Sequence, residues 1–182
     1  MNTGVISARY AKALLAYATE QGAEDAVYDS MHELVRALQG VRDFHLLLRN
    51  PQIKPRQRVE LICSAMTPLP VLHRFASLIV KEEREDMLIF IAYEYMALYR
   101  EAKGICALKF VTARPLDDAS KSVIAKLIEE KEKMRAEVEY VVDESIIGGF
   151  RMEVDSRRID ASVEGQLRRI RKSIVKQNRK LV

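Results

Sequence analysis

The chain has 182 residues, of which 48% are hydrophobic and 31% are charged, with only 7 Gly and 5 Pro. This balance predicts one or two compact domains and argues against a disordered, fibrous or low-complexity protein. The apolar runs are far shorter than the ~20 residues that cross a bilayer. The first residues resemble neither a secretory signal nor an organelle import leader, so we expect a soluble, intracellular protein.

Helical periodicity dominates the chain up to Gly104. Apolar spacing together with Gly and Pro stops predicts six consecutive helices. They cover about residues 4–20, 23–38, 41–49, 55–66, 70–81 and 84–103. The short connections between them predict an antiparallel bundle. The first helix is apolar on most sides, which indicates that it is buried on several faces or offers one face to a partner.

After Gly104 the apolar period changes to two residues, which is typical of half-buried strands. The predicted order is strand, helix, strand, strand, strand, helix. The strands lie near 106–112, 138–142, 150–154 and 157–159, Asp117 or Asp118 caps the first helix, and Val163, Leu167, Ile170 and Ile174 form one stripe on the last. We therefore predict a mainly α protein with a six-helix bundle at 1–104 and a small α+β domain at 105–182.

The net charge of +4 is unevenly distributed. Residues 1–104 hold 13 basic and 13 acidic side chains, whereas residues 105–182 hold 17 basic and 13 acidic ones. No acid follows Glu164, but seven cations do. A basic tail favours an acidic partner, a phosphate backbone or an anionic membrane surface. The alternative is a solvated helix face.

No catalytic constellation is found in the sequence. Gly148-Gly149 lacks the Gly-Lys-Ser/Thr of a phosphate loop, and Arg36 stands where a zinc-protease motif beginning at His32 needs its second His. We predict no catalytic, cofactor-binding or metal-ligating residues. Two non-enzymatic functions stay open, a protein connector and a nucleic-acid-binding helical adaptor. The sequence pI of about 9.1 supports the second, but the tail has no interleaved aromatic residues for base stacking.

Three segments carry a family resemblance. Residues 7–14 read S-A-R-Y-A-K-A-L, residues 138–153 read V-E-Y-V-V-D-E-S-I-I-G-G-F-R-M-E, and residues 159–167 read I-D-A-S-V-E-G-Q-L. In this order they resemble the delta subunits of F-type ATP synthases, the family that includes the mitochondrial oligomycin-sensitivity-conferring protein. One departure is K-E-E-R at 81–84, where the family has an Asn-Gly-Arg turn.

The resemblance implies a non-catalytic connector, or stator, that is present in one copy per complex and needs no cofactor. It implies that the bundle binds the N-terminal segment of an ATP synthase alpha subunit in a groove between helices 1 and 5. The matching positions are Tyr10, Ala13, Leu14, Tyr17, Leu72, Phe75 and Ile79. Leu14 and Phe75 are equally well explained as core residues.

The resemblance also implies that the second domain binds the C-termini of the peripheral-stalk b subunits. Possible stalk contacts are Arg168, Arg169, Arg171 and Lys172. Association with the membrane is then expected only through the complex. The expected location is the cytoplasmic face of a bacterial inner membrane.

The residues that carry the signature in the second half are Gly148, Gly149, Phe150, Asp160, Ser162 and Leu167. Their expected roles are mostly structural. The glycines permit a sharp turn or a positive φ, and Asp160 or Ser162 caps the last helix. Gly165, early in that helix, is expected to allow close packing on the sheet.

Overall fold

The computed structural model describes residues 3–41, 44–50, 52–154 and 157–178. Within them the chain is mainly helical and has a small four-stranded sheet, in agreement with the predicted α and α+β layout. The helices are α1 (Thr3–Glu20), α2 (Glu24–Gly40), α3 (Phe44–Arg49), α4 (Pro55–Ser64), α5 (Pro70–Lys81), α6 (Leu88–Lys103), α7 (Asp118–Glu132) and α8 (Val163–Asn178). The strands are β1 (Ile105–Thr112), β2 (Arg135–Val142), β3 (Phe150–Val154) and β4 (Arg157–Asp160).

The chain divides into two compact units, with the division between Ala102 and Lys103. The first unit contains α1 to α6, and the second contains the sheet with α7 and α8.

The core of the first unit is built from the apolar stripes of its helices. On α2 the side chains at helical spacing are buried: Val27, Met31, Leu34, Val35 and Leu38. Between α2 and α6 the Tyr28 and Tyr99 rings stack with centroids 4.2 Å apart. His32, which the sequence analysis treated only as part of an incomplete motif, packs edge-on against Tyr28 at 4.8 Å.

The start of α6 differs from the prediction. A 3₁₀ helix, Glu85–Met87, precedes α6, which begins at Leu88 and not at Arg84. Glu85 turns inward, is 7% exposed and pairs with Arg58 of α4 at 2.5 Å. A buried carboxylate needs such a partner because its desolvation is costly. The predicted helix start thus contains a 3₁₀ turn whose first residue is a buried, paired carboxylate.

The sheet of the second unit has the strand order β2-β1-β3-β4. β1 and β2 are parallel and are joined through α7, whereas β1–β3 and β3–β4 are antiparallel. β2 begins at Arg135, three positions before the predicted Val138, because the parallel register with β1 extends back to Ile105↔Arg135.

One face of this sheet is aromatic. Phe110 on β1 is in register with Tyr140 on β2 and Met152 on β3, and its ring stacks on Phe150 at 5.0 Å. α7 lies on the Tyr140 side, since the Tyr140 hydroxyl donates a hydrogen bond to the Lys121 carbonyl oxygen at 2.9 Å.

Candidate partner-binding surfaces

On the first unit, α1 and α5 lie side by side and leave a partly open face. Ala13 is exposed, while Tyr10 and Tyr17 are half-buried. The Arg74 guanidinium of α5 lies 5.3 Å from the centre of the Tyr17 ring and donates a hydrogen bond to its hydroxyl at 3.3 Å. Leu78, one turn after Arg74, is 43% exposed. We call these five residues the α1/α5 face.

The remaining groove candidates are core residues. Leu14, Leu72, Phe75 and Ile79 are between 0% and 6% exposed. Their apolar spacing is the same as that of contact residues, so periodicity alone does not separate the two roles. Arg74 and Leu78 were not among the predicted groove residues, although both lie at helical spacing on the exposed side of α5.

On the second unit, the two signature glycines differ. Gly149 has φ of +76°, and a Cβ there would lie 2.4 Å from the Ala161 carbonyl oxygen. At Gly148 the nearest atom to a Cβ is Val163 Cγ2 at 3.4 Å, which is close to an ordinary contact. Only Gly149 therefore has the predicted positive φ, and it lets two backbone segments approach each other.

Ser162 is the N-cap of α8. Its buried hydroxyl accepts a hydrogen bond from the Gly165 N–H at 3.0 Å and donates one to Asp160 Oδ1 at 2.5 Å. Asp160 also accepts from the Ser162 N–H at 3.0 Å. These bonds, with the nearby Arg151 and Arg169, hold the pKa of Asp160 below its usual range. A Cβ at Gly165 would lie 2.7 Å from the Asp160 carboxylate.

Arg151 of β3 is the centre of an ion-pair cluster that the sequence analysis missed. It is 15% exposed and pairs with Glu164 at 2.6 Å, Asp143 at 3.8 Å and Asp160 at 3.8 Å. Hydrogen bonds from Ser145, with a contribution from Arg151, lower the pKa of Asp143. The cluster links the turn before β3 to the start of α8, so ion pairs connect the two signature segments of the second unit.

The predicted stalk contacts lie on α8 and differ in whether their side chains already have partners within the chain. Arg168 pairs with Glu164, and Arg169 donates to the Asp160 carbonyl oxygen. Arg171 is exposed. The Lys172 side chain lies outside the described residues. Leu167, assigned to the structural signature, is 55% exposed and does not fill a core.

Little in the described part of the chain points to chemistry. A shallow apolar pocket of about 270 Å³ lies where α4 ends and α5 begins, lined in part by Cys63 and His73. Burial raises the pKa of the Cys63 thiol, which disfavours the reactive thiolate. Among the residues described, no cluster of three or more His, Cys, Asp or Glu could hold a metal ion. None of the described helices is long and apolar enough to cross a membrane.

Comparison with known proteins identifies close similarity over the whole chain. The model of the family "ATP synthase delta (OSCP) subunit" matches residues 6–174. ATP synthase subunit delta of Bacteroides fragilis is 38% identical over 186 residues, with 100% of both chains covered. That of Phocaeicola vulgatus is 37% identical over 185 residues, again with 100% of both chains covered.

The fold is also shared with a solved structure. A chain of the Toxoplasma gondii mitochondrial ATP synthase hexamer superposes with a TM-score of 0.71 at 21% identity, covering 93% of this chain and 97% of that one. None of these similarities supports the nucleic-acid-binding alternative.

Proposed function

The chain belongs to the ATP synthase delta (OSCP) subunit family, the non-catalytic stator components of F-type ATP synthase, and from this membership we propose a division of labour between its two units. The first unit, as a six-helix bundle, binds the N-terminal segment of an alpha subunit. The second unit binds the C-termini of the b subunits. The chain thereby ties the catalytic head to the peripheral stalk, so that the head resists the torque of the rotor.

The α1/α5 face is the observation that carries the first half of this proposal. It combines a small exposed residue, Ala13, with the amphipathic rings of Tyr10 and Tyr17 and the exposed side chain of Leu78. An amphipathic helix binds a groove by inserting apolar anchors between such ridges. The flanking Arg74 supplies a cation for an acidic or polar group on the incoming segment.

The charge distribution supports the second half. The net positive charge of the chain lies entirely in residues 105–182, which hold 17 basic and 13 acidic side chains. One copy of the chain would serve each complex. Attachment to the membrane would be indirect, through the stalk, at the cytoplasmic face of a bacterial inner membrane.

A single substitution tests the alpha-subunit site. Ala13→Asp places a carboxylate where the incoming helix would bury it, and an unpaired charge in an apolar contact is strongly unfavourable. We expect at least tenfold weaker binding of a peptide with the alpha-subunit N-terminal sequence, about 1.4 kcal/mol or more. Isothermal titration calorimetry with the full chain measures it.

Ala97→Asp is the matched control, because Ala97 is also exposed but lies on α6. Both variants should keep the helical circular dichroism of the parent, since neither position is buried. Equal affinities for Ala13→Asp and the parent would contradict the proposed site.

A further inference from the structure

α8 exposes an apolar stripe. Val163 is 40% exposed and Leu167, one turn further along, is 55% exposed. Every residue from Val163 to Arg171 is exposed except Glu164 and Gly165. A helix in a protein takes most of its stability from packing an amphipathic face. The stripe is therefore a surface on which a partner would add stability.

A strained turn presents another apolar side chain beside the start of α8. Ile147 has φ of +66° and ψ of −42°, and the Gly148 N–H donates to the Ile146 carbonyl oxygen at 2.7 Å. This is a γ-turn with positive φ, a rare and strained conformation, and it is especially costly for a β-branched residue. Ile147 is nevertheless 68% exposed, and Gly148 accepts a hydrogen bond from the Val163 N–H at 3.0 Å.

We propose that Ile147, Val163 and Leu167, here called the α8 face, form the apolar centre of the docking site for an acidic amphipathic helix of the peripheral stalk. The inference rests on the proposed stalk role of the second unit. The proposed contact differs from a purely electrostatic one, because burial of the apolar side chains supplies most of the binding energy. The arginines lie at the edge of this contact.

Charge selects the kind of partner. Arg168, which also pairs with Glu164, and Arg171 are exposed on the same helix, and no acidic residue follows Glu164. Cations around an apolar centre match a helix with acidic residues flanking its apolar stripe, and such complementarity raises specificity and the association rate. Basic residues interspersed with apolar ones also suit an anionic membrane surface, so vesicles enter the test below as a separate arm.

α7 offers a matched comparison. Its Leu127 is 59% exposed, close to the value for Leu167, and it lies in the same unit. From Lys126 to Glu132 the segment around it holds two basic and three acidic residues. The α7 surface therefore has no charge preference for an acidic partner, whereas the α8 face does.

The experiment compares Leu167→Asp with Leu127→Asp in the full chain. The probe is the soluble C-terminal half of the b subunit of the same ATP synthase, titrated by calorimetry at 50 and 200 mM salt. We expect Leu167→Asp to weaken binding at least tenfold and Leu127→Asp to change it less than twofold. Arg168→Gln together with Arg171→Gln should weaken binding moderately and flatten its salt dependence.

Ile147→Gly provides a second test in which stability and binding change in opposite directions. Glycine relieves the positive φ, so the second unit should unfold at higher urea concentration. Loss of the exposed side chain should weaken b-subunit binding at least threefold. If either Ile147→Gly or Leu167→Asp binds the fragment as tightly as the parent, the α8 face is not the docking site.

The outcomes also separate this inference from the function it rests on. If the parent binds the alpha-subunit peptide but not the b-subunit fragment, the stalk role fails and the inference falls with it. If the parent binds the fragment and only the α7 variant is weakened, the stalk role stands and the α8 face is wrong. Cosedimentation with phosphatidylglycerol vesicles that is lost in Leu167→Asp, with unchanged b-subunit binding, assigns the face to a lipid surface and overturns the inference.

Discussion

Gly149 offers the sharpest test of how the signature segment holds the second unit together. Gly149→Ala adds one methyl group, which would lie 2.4 Å from the Ala161 carbonyl oxygen, on a backbone with φ of +76°. The two flanking hydrogen bonds, from the Ala161 N–H to the Phe150 carbonyl at 2.9 Å and from Val163 to Gly148 at 3.0 Å, hold the segments together. The methyl group can be accommodated only if these segments separate.

The expected loss has two parts. An L-residue in a left-handed conformation costs roughly 1–2 kcal/mol, and forcing a group into a filled space typically costs about 1–3 kcal/mol. Their sum, roughly 2–5 kcal/mol, is a large share of the stability of the second unit, because domains of its size have on the order of 4–12 kcal/mol.

Gly148→Ala is the control, since its Cβ would meet Val163 Cγ2 at 3.4 Å and its φ is not in the left-handed range. We expect it to change stability by less than about 1 kcal/mol, with either sign, because alanine also restricts the unfolded chain.

The assay is hydrogen exchange by mass spectrometry along a urea series, read on peptides that span residues 146–167. The first unit supplies an internal reference in the same molecule, and its exchange should be unchanged. A difference of less than about 1 kcal/mol between the two alanine variants would refute the close-approach argument.

Three further predictions follow from the described contacts. Glu83 has φ of +52° just after the end of α5, so Glu83→Gly should stabilise the first unit by about 0.5–1 kcal/mol. Glu82→Gly is the control and should destabilise the unit, because Glu82 has φ of −90°. Chemical denaturation measures both free energies of unfolding. A fragment of residues 1–103 should fold alone as an almost wholly helical unit, and a largely unfolded circular dichroism spectrum would contradict this. Hydrogen bonds from Ser162 lower the folded-state pKa of Asp160. The contribution of Asp160 to stability is therefore present above its unfolded pKa of about 3.9 and is lost as the pH falls through the folded pKa. Asp160→Asn should reduce the acid dependence of unfolding, and an unchanged pH profile would argue against this role.

The sequence was sufficient to predict the order and type of the elements. Helical and strand periods are written directly into the apolar spacing, and Gly or Pro marks most ends. The change of period at Gly104 coincides within two residues with the division between the compact units after Ala102. These features are local, so a single sequence carries them.

Features that depend on distant partners were not predicted. Glu85 belongs to a run of charged residues, a pattern typical of a solvated turn, yet it is buried against Arg58 of α4. Arg151 alternates with apolar residues, a pattern typical of an outward-facing strand position, yet three carboxylates from two other segments surround it. Neither pairing leaves a mark in local spacing, because the partners are 27 residues apart for Arg58 and Glu85 and are brought together only by the fold.

The residues that identify the family differ from the residues that are available for contact. Gly149, Asp160 and Ser162 have their main interactions inside the second unit, where they fix the start of α8. Val163 and Leu167, whose stripe is the pattern of a core-facing helix, are exposed. A periodic apolar stripe predicts that a helix packs against something, but it does not say whether the partner is in the same chain. On α2 the partner is the unit's own core, and on α8 we infer that it is another subunit. Recognition of the family therefore depends on the residues that position α8, whereas we propose that binding of the stalk depends on the side chains that α8 exposes.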